Sequence, residues 1–460
     1  MSKAKNSNQT AIYNAKELGL FRTIVLGLQH TFAMFGATVL VPILTGLEIS
    51  TTLLMAGLGT LLFHLITKGK VPAFLGSSFA FLGGYAAVAP LSAEGIADKT
   101  QLAYACGGVF CAGLVYLVLA GFIKLFGVKK VMRFFPPVVT GPIIIAIGLI
   151  LAPSAISNAG TNWFLAIISL IIIIICNIYG KGMVKIVPIM LGVVGSYAVA
   201  LILYYIAKAN PSLITDCPSI FALTSTNAAG EVVYSPLFDF SSVKASGIIA
   251  LPPLTIAKFN LSAIITIMPI ALATMMEHIG DISAIGATTG KNYISEPGLH
   301  KTLLGDGLAT SFSALFGGPA NTTYGENTGV LALTKVYDPI VMRIAALFAI
   351  ILSFFPAFSE IIRSIPVAII GGVSFILYGM ISAIGVRNVV ENKIDLTKNR
   401  NLIIAAVILV SAIGFNGIGG ITFTVMSYDI TLSGLAIAAI CGIVLNAILP
   451  GNDYSFPDAD

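Results

Sequence analysis

The chain has 460 residues, of which 57% are hydrophobic and 10% charged. That composition excludes a soluble globular domain and a disordered chain alike. The net charge of +5 comes without a basic patch interleaved with aromatics, so nucleic acid is not an expected partner; the lipid bilayer is. After a polar tail over 1–20, apolar runs recur at 21–45, 102–122, 138–151, 163–179, 187–206, 261–276, 340–355, 402–415 and 430–449, and a second polar tail closes the chain at 450–460. Crossing a hydrocarbon core of about 30 Å takes about 20 apolar residues in a helix, and with the shorter and interrupted runs included the chain holds roughly 12 to 14 spans. The first run is a full-length span rather than the short apolar region of a signal peptide.

Basic residues near span ends report orientation, because they resist translocation. With a cytoplasmic N-terminus and fourteen spans, one set of loops collects Lys3, Lys5, Lys16, Arg22; Lys68, Lys70; Lys124, Lys129, Lys130, Arg133; Lys181, Lys185; Lys291, Lys301; Lys335, Arg343; and Arg387, Lys393, Lys398, Arg400, which is 20 of the 25. Lys99, Lys208, Lys244, Lys258 and Arg363 fall on the other side, three of them in one long loop. A miscounted span would reverse every later loop, so both ends are expected inside. Of the five cysteines, Cys106, Cys111, Cys176 and Cys441 lie in apolar spans and Cys217 in the long loop, without a CxxC or Cys/His spacing. They read as packing residues, and no metal site or cofactor is expected.

Two halves repeat. "LQH" places Gln29 and His30 in the first span, and "MEH" places Glu277 and His278 in a later one, 248 residues on. "VPAFLGSSFAF" reaches Phe79 seven residues after Pro72, and "GPANTTYGENTG" reaches Glu326 seven residues after Pro319. "FPPVVTG" at Pro137 is echoed by "IPVAIIGG" at Pro366. The halves run from 21 to 207 and from 259 to 449, joined by an outer loop over 208–258. Seven spans in each force the second half to enter the membrane from the opposite side. That inverted repeat is the architecture of alternating access.

The stretches "FLGSSFAF" and "NTTYGENTG" are too short and too rich in Gly, Ser and Thr for regular spans, and they occupy matching places. Irregular backbone at membrane depth must be buried in protein or line a cavity, so a short extended piece leading into a half-helix near a midplane binding site is expected in each half. The buried acids converge there: Glu326 in the second break, Glu277 and Asp281 four apart on one helix face, and Asp306 in another span. His30 and His278 are expected as hydrogen-bonding partners between helices, whereas His64 and His300, near span ends beside lysines, read as interfacial. Ionised carboxylates in such a site can accept from the N–H groups of a polar solute, and the repeat places the aromatic Phe79 opposite Glu326. Glu277 and Asp281 should titrate as a coupled pair, and proton uptake by the cluster is expected to favour substrate binding from outside. A passive facilitator or channel for a small neutral solute is the alternative. Without a GxSxG motif, metal triad or Ser/Lys pair in register, an enzyme is not expected.

The string Glu326-Asn327-Thr328-Gly329, closed by Thr334 and Lys335, together with Gln29-His30, resembles the signature of the nucleobase/ascorbate transporter family. The strings "LQHTFAMFGATVLVP", "LGSSFAF", "PANTTYGEN" and "PGLH" resemble most its bacterial uracil carriers, and the likeness runs from about Phe21 to Ile448. It implies an otherwise all-α polytopic fold of fourteen transmembrane segments in two inverted seven-span repeats, with substrate between two short strand-bearing segments at the midplane. It divides each half into a core part (21–126 and 259–358) and a gate part (127–207 and 359–449). Carried over by position, the substrate carboxylates fall on Glu277 and Glu326, the stacking aromatic on Phe79, the backbone contacts near Ala37, Ser78, Tyr324 and Gly325, and a gate tyrosine on Tyr378. Proton coupling falls on Glu277, Asp281, Glu326 and His30. One position departs: Asp281 stands where the uracil carriers have a histidine, and purine carriers of the family hold an acid there. The resemblance thus implies proton-coupled uptake of uracil, with a purine such as xanthine or uric acid as the alternative, in a bacterial inner membrane, by a homodimer joined through the gate domain.

Overall fold

Without water to bond the backbone, a segment in a bilayer satisfies its N–H and C=O groups within a helix, and helices dominate this chain. The computed structural model describes residues 11–91, 97–227, 230–425 and 428–451. The first half runs through α1 (Leu20–Thr45), α2 (Ile49–Ile66), strand β1 (Leu75–Ser77), a half-helix α3 (Leu82–Val88), α4 (Lys99–Phe126), α5 (Pro137–Gly160), α6 (Trp163–Tyr179) and α7 (Pro188–Ala209). The hairpin β2 (Ala222–Thr226) and β3 (Val232–Pro236) follows. In the second half come α8 (Leu261–Ile267) and α9 (Ala271–Thr289), joined through a 3-10 turn at Met268–Ile270, then α10 (Leu299–Leu315), β4 (Asn321–Thr323) and a half-helix α11 (Gly325–Thr334). The chain closes with α12 (Ile340–Ser353), α13 (Pro356–Arg363), α14 (Val367–Glu391), α15 (Asn399–Gly417), the hairpin β5 (Ile421–Val425) and β6 (Tyr428–Leu432), and α16 (Gly434–Ile448). Proline opens α5, α7 and α13, where its missing N–H removes only a donor that would be unpaired.

Among the described residues, eight helices are long and apolar enough to cross a membrane, with α8 and α9 counted together. A ninth arises if α12 and α13, bent by 87° at their break, are taken as one. The bend turns α13 out of line with the spans. Shorter apolar helices occupy Phe79–Val88, Trp163–Ile178 and Gly434–Ile448. The face of α6 shows what surrounds the bundle: Ile167, Ile171, Ile174 and Ile178 form one exposed stripe. In water such a stripe would be an aggregation liability; against lipid it is the normal surface.

Strands are the departure from an otherwise helical expectation. Besides the expected extended pieces β1 and β4, the loop over 208–258 folds into β2–β3 and the link from α15 to α16 into β5–β6, both antiparallel. The β-branched and aromatic run "VVYS" in β3 suits a pleated strand, and Asn227 and Gly230 sit at the turn end of that hairpin. These connections carry structure that periodicity at helical spacing does not reveal.

Packing sorts the helices into two groups. In one, α4 lies on α10, and α2 and α1 lie on α12; in the other, α5 lies on α14 and α15, and α6 on α7 and α14. Close approach depends on small residues. Where α4 crosses α10, a Cβ on Gly113 would stand 2.6 Å from the Gly307 carbonyl oxygen, and one on Gly307 would stand 2.7 Å from that of Gly113.

Candidate functional site

The two broken segments meet. β1 and β4 pair antiparallel with Leu75 opposite Thr323, Gly76 opposite Thr322 and Ser77 opposite Asn321. Bonds from Ser78 N to Ala320 O and from Tyr324 N to Phe74 O, each 3.0 Å, lengthen the ladder at both ends. A two-stranded sheet leaves both outer edges unpaired, which an apolar interior does not tolerate. Side chains of flanking helices satisfy those edges. Thr60 of α2 donates to Leu75 O at 3.1 Å and accepts from Leu75 N at 2.9 Å. Thr310 of α10 donates to Asn321 O at 2.6 Å, and Asn321 Nδ2 donates to Met55 O at 2.6 Å. His64 is part of the same scaffold: it is buried, with Nε2 2.8 Å from Ala73 O, rather than interfacial as its lysine neighbours suggest.

Each strand feeds a half-helix. Gly325 opens α11 and Glu326 sits in its first turn, where free N–H groups favour negative charge. Glu326, Glu277 and Asp281 are each half-buried, so each keeps part of its surface accessible. Glu277 lies within electrostatic reach of Glu326 and Asp306. Asp281 closes against the start of α11, since a Cβ on Gly325 would lie 3.4 Å from its Oδ1. Among the described residues, neither Glu277 nor Glu326 has an ion-pair partner. Two carboxylates that face a cleft without cations can accept from a ligand's N–H groups.

Phe79 is buried beside Ser78, and its ring meets Tyr378 of α14 edge to face, with centroids 5.9 Å apart and planes at 81°. Among the described residues the Ser78 hydroxyl is buried without a hydrogen-bond partner, and the Tyr378 hydroxyl faces Ser374 and Ser154 without reaching full hydrogen-bond geometry. Buried polar atoms left open in this way need a ligand or water. Tyr324 turns its side chain away from α11. Its hydroxyl donates to Ser77 O at 2.8 Å and accepts from Thr38 at 3.3 Å, and its ring covers Gly76, where a Cβ would come within 2.6 Å of it. What Tyr324 and the exposed Gly325 offer the cleft is therefore backbone. Ala37 lies on α1, and its side chain is outside the described residues.

His30 is fully buried and holds the other side of α11: Asn327 Nδ2 lies 3.3 Å from both His30 Nδ1 and His30 O. No described hydrogen bond joins His30 to the carboxylates. Reasoning from sequence missed Thr323, which links Asp281 to His278, with Asp306 behind; only the alternation of strand residues in "NTTYG" signals that its side chain faces α9. A separate cleft of about 600 Å³, lined by Phe238, Asp239, Arg363 and Pro366 among others, lies between β3 and α13–α14 and contains none of these residues.

The sequence matches the permease family Xan_ur_permease over residues 21–421. The uracil permease of Bacillus caldolyticus is 40% identical over 443 residues, covering 93% of this chain and 92% of that protein. That of Bacillus subtilis is 38% identical over 449 residues, covering 94% and 93%. The putative pyrimidine permease RutG of Escherichia coli is 36% identical over 450 residues, covering 97% and 94%. Among solved structures, the transmembrane domain of the cyanobacterial bicarbonate transporter BicA is similar at TM-score 0.56 and 16% identity, covering 87% of this chain and 97% of that one. The inward-facing murine anion transporter Slc26a9 is similar at TM-score 0.61 and 11% identity, covering 97% and 73%. At those identities the structural likeness speaks for the fold alone.

Proposed function

Because this chain belongs to the nucleobase/ascorbate transporter family, we propose that it is a secondary carrier that takes up uracil with protons by alternating access. The relatives are named permeases, so the chain is a membrane transporter and not an enzyme. The observation that carries the reading is the arrangement of Glu277 and Glu326, two half-buried acids without cationic partners among the described residues, beside the Phe79 ring and the open hydroxyl of Ser78. A flat ligand with two N–H groups and two carbonyls fits that set. The carboxylates accept from the N–H groups, backbone N–H groups at Phe79 and Gly325 donate to carbonyls, and the aromatic face stacks.

The architecture supports movement between two bodies. In this reading each half has seven segments, α1, α2, β1 with α3, α4, α5, α6 and α7, then α8 with α9, α10, β4 with α11, α12, α14, α15 and α16, a count supported by the order of the elements. The group of α1, α2, α4, α8, α9, α10 and α12, with the broken segments, is the core. The group of α5, α6, α7, α14, α15 and α16 is the gate, and Phe79 and Tyr378 meet across the two. Both termini then face the cytoplasm of a bacterial plasma membrane, with Asp281, Glu277 and Glu326 as the proton-binding cluster. Dimerisation would use the gate.

Uptake of labelled uracil into proteoliposomes under an imposed inward proton gradient tests this. Accumulation above the external concentration, abolished by a protonophore and suppressed by unlabelled uracil but not by xanthine, is the expected result. Uptake that only equilibrates would instead identify a passive facilitator, and preferential uptake of xanthine would move the substrate to the purines.

A further inference from the structure

Behind the cleft lies a buried polar chain that substrate binding does not use. Thr323 of β4 donates its hydroxyl proton to Asp281 Oδ2 at 3.0 Å, and His278 Nδ1 stands 3.2 Å from the same Thr323 oxygen. His278 Nδ1 is also 3.4 Å from Asp306 Oδ2, and both side chains of that pair are completely enclosed. Thr323 has one proton to give, and it goes to Asp281; its oxygen therefore accepts from the Nδ1–H of His278. The hydrogen bonds thus run in one direction, from His278 through Thr323 to Asp281.

Asp306 is set up unlike a structural aspartate. His278 and the backbone N–H of Thr323 face it, but neither reaches full hydrogen-bond geometry, and His278 Nε2 is unpartnered as well. An ionised carboxylate in such a place needs a compensating cation. Among the described residues the basic group that faces it is His278, which would be that cation when both ring nitrogens carry a proton. Tyr116 of α4, Glu277 and Asp281 of α9, and Glu326 of α11 are the other titratable groups around the chain. Tyr116 is occupied by a 2.6 Å bond to Thr274.

We propose that His278 and Asp306 form a second proton-holding unit, and that Thr323 is the positioning residue that passes the proton between this unit and Asp281. The loaded unit is an imidazolium facing the Asp306 carboxylate. In the transfer the His278 Nδ1–H bond breaks as Thr323 Oγ1 takes the proton, and the former Thr323 O–H bond breaks as Asp281 Oδ2 takes the other. Asp281 thereby becomes neutral and the His278–Asp306 unit goes from neutral to a net charge of about −1, with no atom gained or lost. The inference rests on the proton-coupled reading above and extends it from the carboxylates of the cleft to residues that need not touch the substrate.

The test compares two readouts on the full chain in proteoliposomes: exchange of labelled for unlabelled uracil at equal pH, and accumulation driven by a proton gradient. Thr323→Val keeps the shape of the side chain and removes the bridge. We expect exchange within about threefold of the unmodified chain and accumulation reduced about tenfold or more, with Thr323→Ser restoring accumulation. His278→Asn keeps a donor near the Nδ1 position but cannot carry a second proton, and should give the same split. Gradient-driven accumulation that survives in either variant overturns the relay, and loss of exchange in both assigns these residues to structure and overturns it too. If the unmodified chain exchanges uracil but never accumulates it with protons, the underlying proton-coupled reading fails instead.

Discussion

Phe79 and Tyr378 lie almost 300 residues apart in sequence and meet edge to face at 5.9 Å, joining the half-helix after β1 to the long helix α14. In the proposed two-body reading, Phe79 belongs to the core and Tyr378 to the gate. A base stacked on Phe79 would therefore bear on the junction between the two. Phe79→Ala should weaken uracil affinity by about 1–3 kcal/mol, the usual contribution of base stacking. Tyr378→Phe keeps the edge-to-face contact and loses only the hydroxyl, so its effect should be smaller. Equilibrium binding of labelled uracil to purified protein ranks the two; unchanged affinity in Phe79→Ala would place the ring outside the substrate site.

Glu326 and Glu277 are expected to differ in kind. Glu326→Gln retains size but offers one oxygen acceptor where the carboxylate offers two, so binding should fall while residual transport stays proton-dependent. Glu277→Gln removes a candidate proton carrier, so residual uptake should lose its response to an imposed pH gradient. Initial uptake rates at matched and mismatched pH distinguish the outcomes; interchangeable behaviour would argue against separate roles.

Thr60 is expected to matter for stability rather than for recognition. It satisfies both backbone groups of Leu75, and the isosteric Thr60→Val would orphan an N–H and a C=O in the core. Each such group costs about 1–3 kcal/mol, so melting in detergent should begin at clearly lower temperature, whereas Thr60→Ser should stay near the parent. A thermal scan that does not separate Val from the parent would mean that water reaches the strand edge.

On the side opposite the Lys70 loop, Arg363 at the end of α13 donates to Glu48 at the start of α2 at 2.8 Å, and Ser359 lies 2.7 Å from Ser50. These contacts tie the entrance to α14 onto α2. The ion pair is partly exposed, which limits its worth to about 1 kcal/mol, yet that suffices to bias two states of similar energy. Glu48→Gln or Arg363→Gln should raise labelling of an engineered cysteine at this end of α2, and the exchanged pair Glu48→Arg with Arg363→Glu should restore the parent level. Labelling that ignores the charge at both positions would show that the contact does not govern access.

The parts legible from sequence were those where chemistry had to break a pattern. Gly, Ser and Thr in "FLGSSFAF" and "NTTYGENTG" cannot continue an apolar span, and Glu277 and Glu326 are too expensive in a bilayer to be incidental; the structure brings the two broken segments together as a strand pair beside the acids. The hairpins β2–β3 and β5–β6 were not legible, because short strands in connecting loops carry no long-range hydrophobic period. His64 was misread for a related reason: Lys68 and Lys70 mark the end of the span, but the chain turns back and buries the ring against Ala73. The link from Asp281 through Thr323 to His278 joins residues 42 and 45 apart in sequence across two elements, a proximity that no local spacing encodes.

The pairing of β1 with β4 also bears on how the protein is made. Leu75, Gly76 and Ser77 find their strand partners only at residues 321 to 323, so during synthesis the first broken segment waits while some 240 further residues are inserted. Until then Thr60 and His64 hold its outer edge, and the inner edge stands open. The cleft is thus among the last features to close, and neither half of the chain can complete it alone. Halves divided within the loop over 208–258 and expressed together would have to find each other in the membrane before either could bind a base.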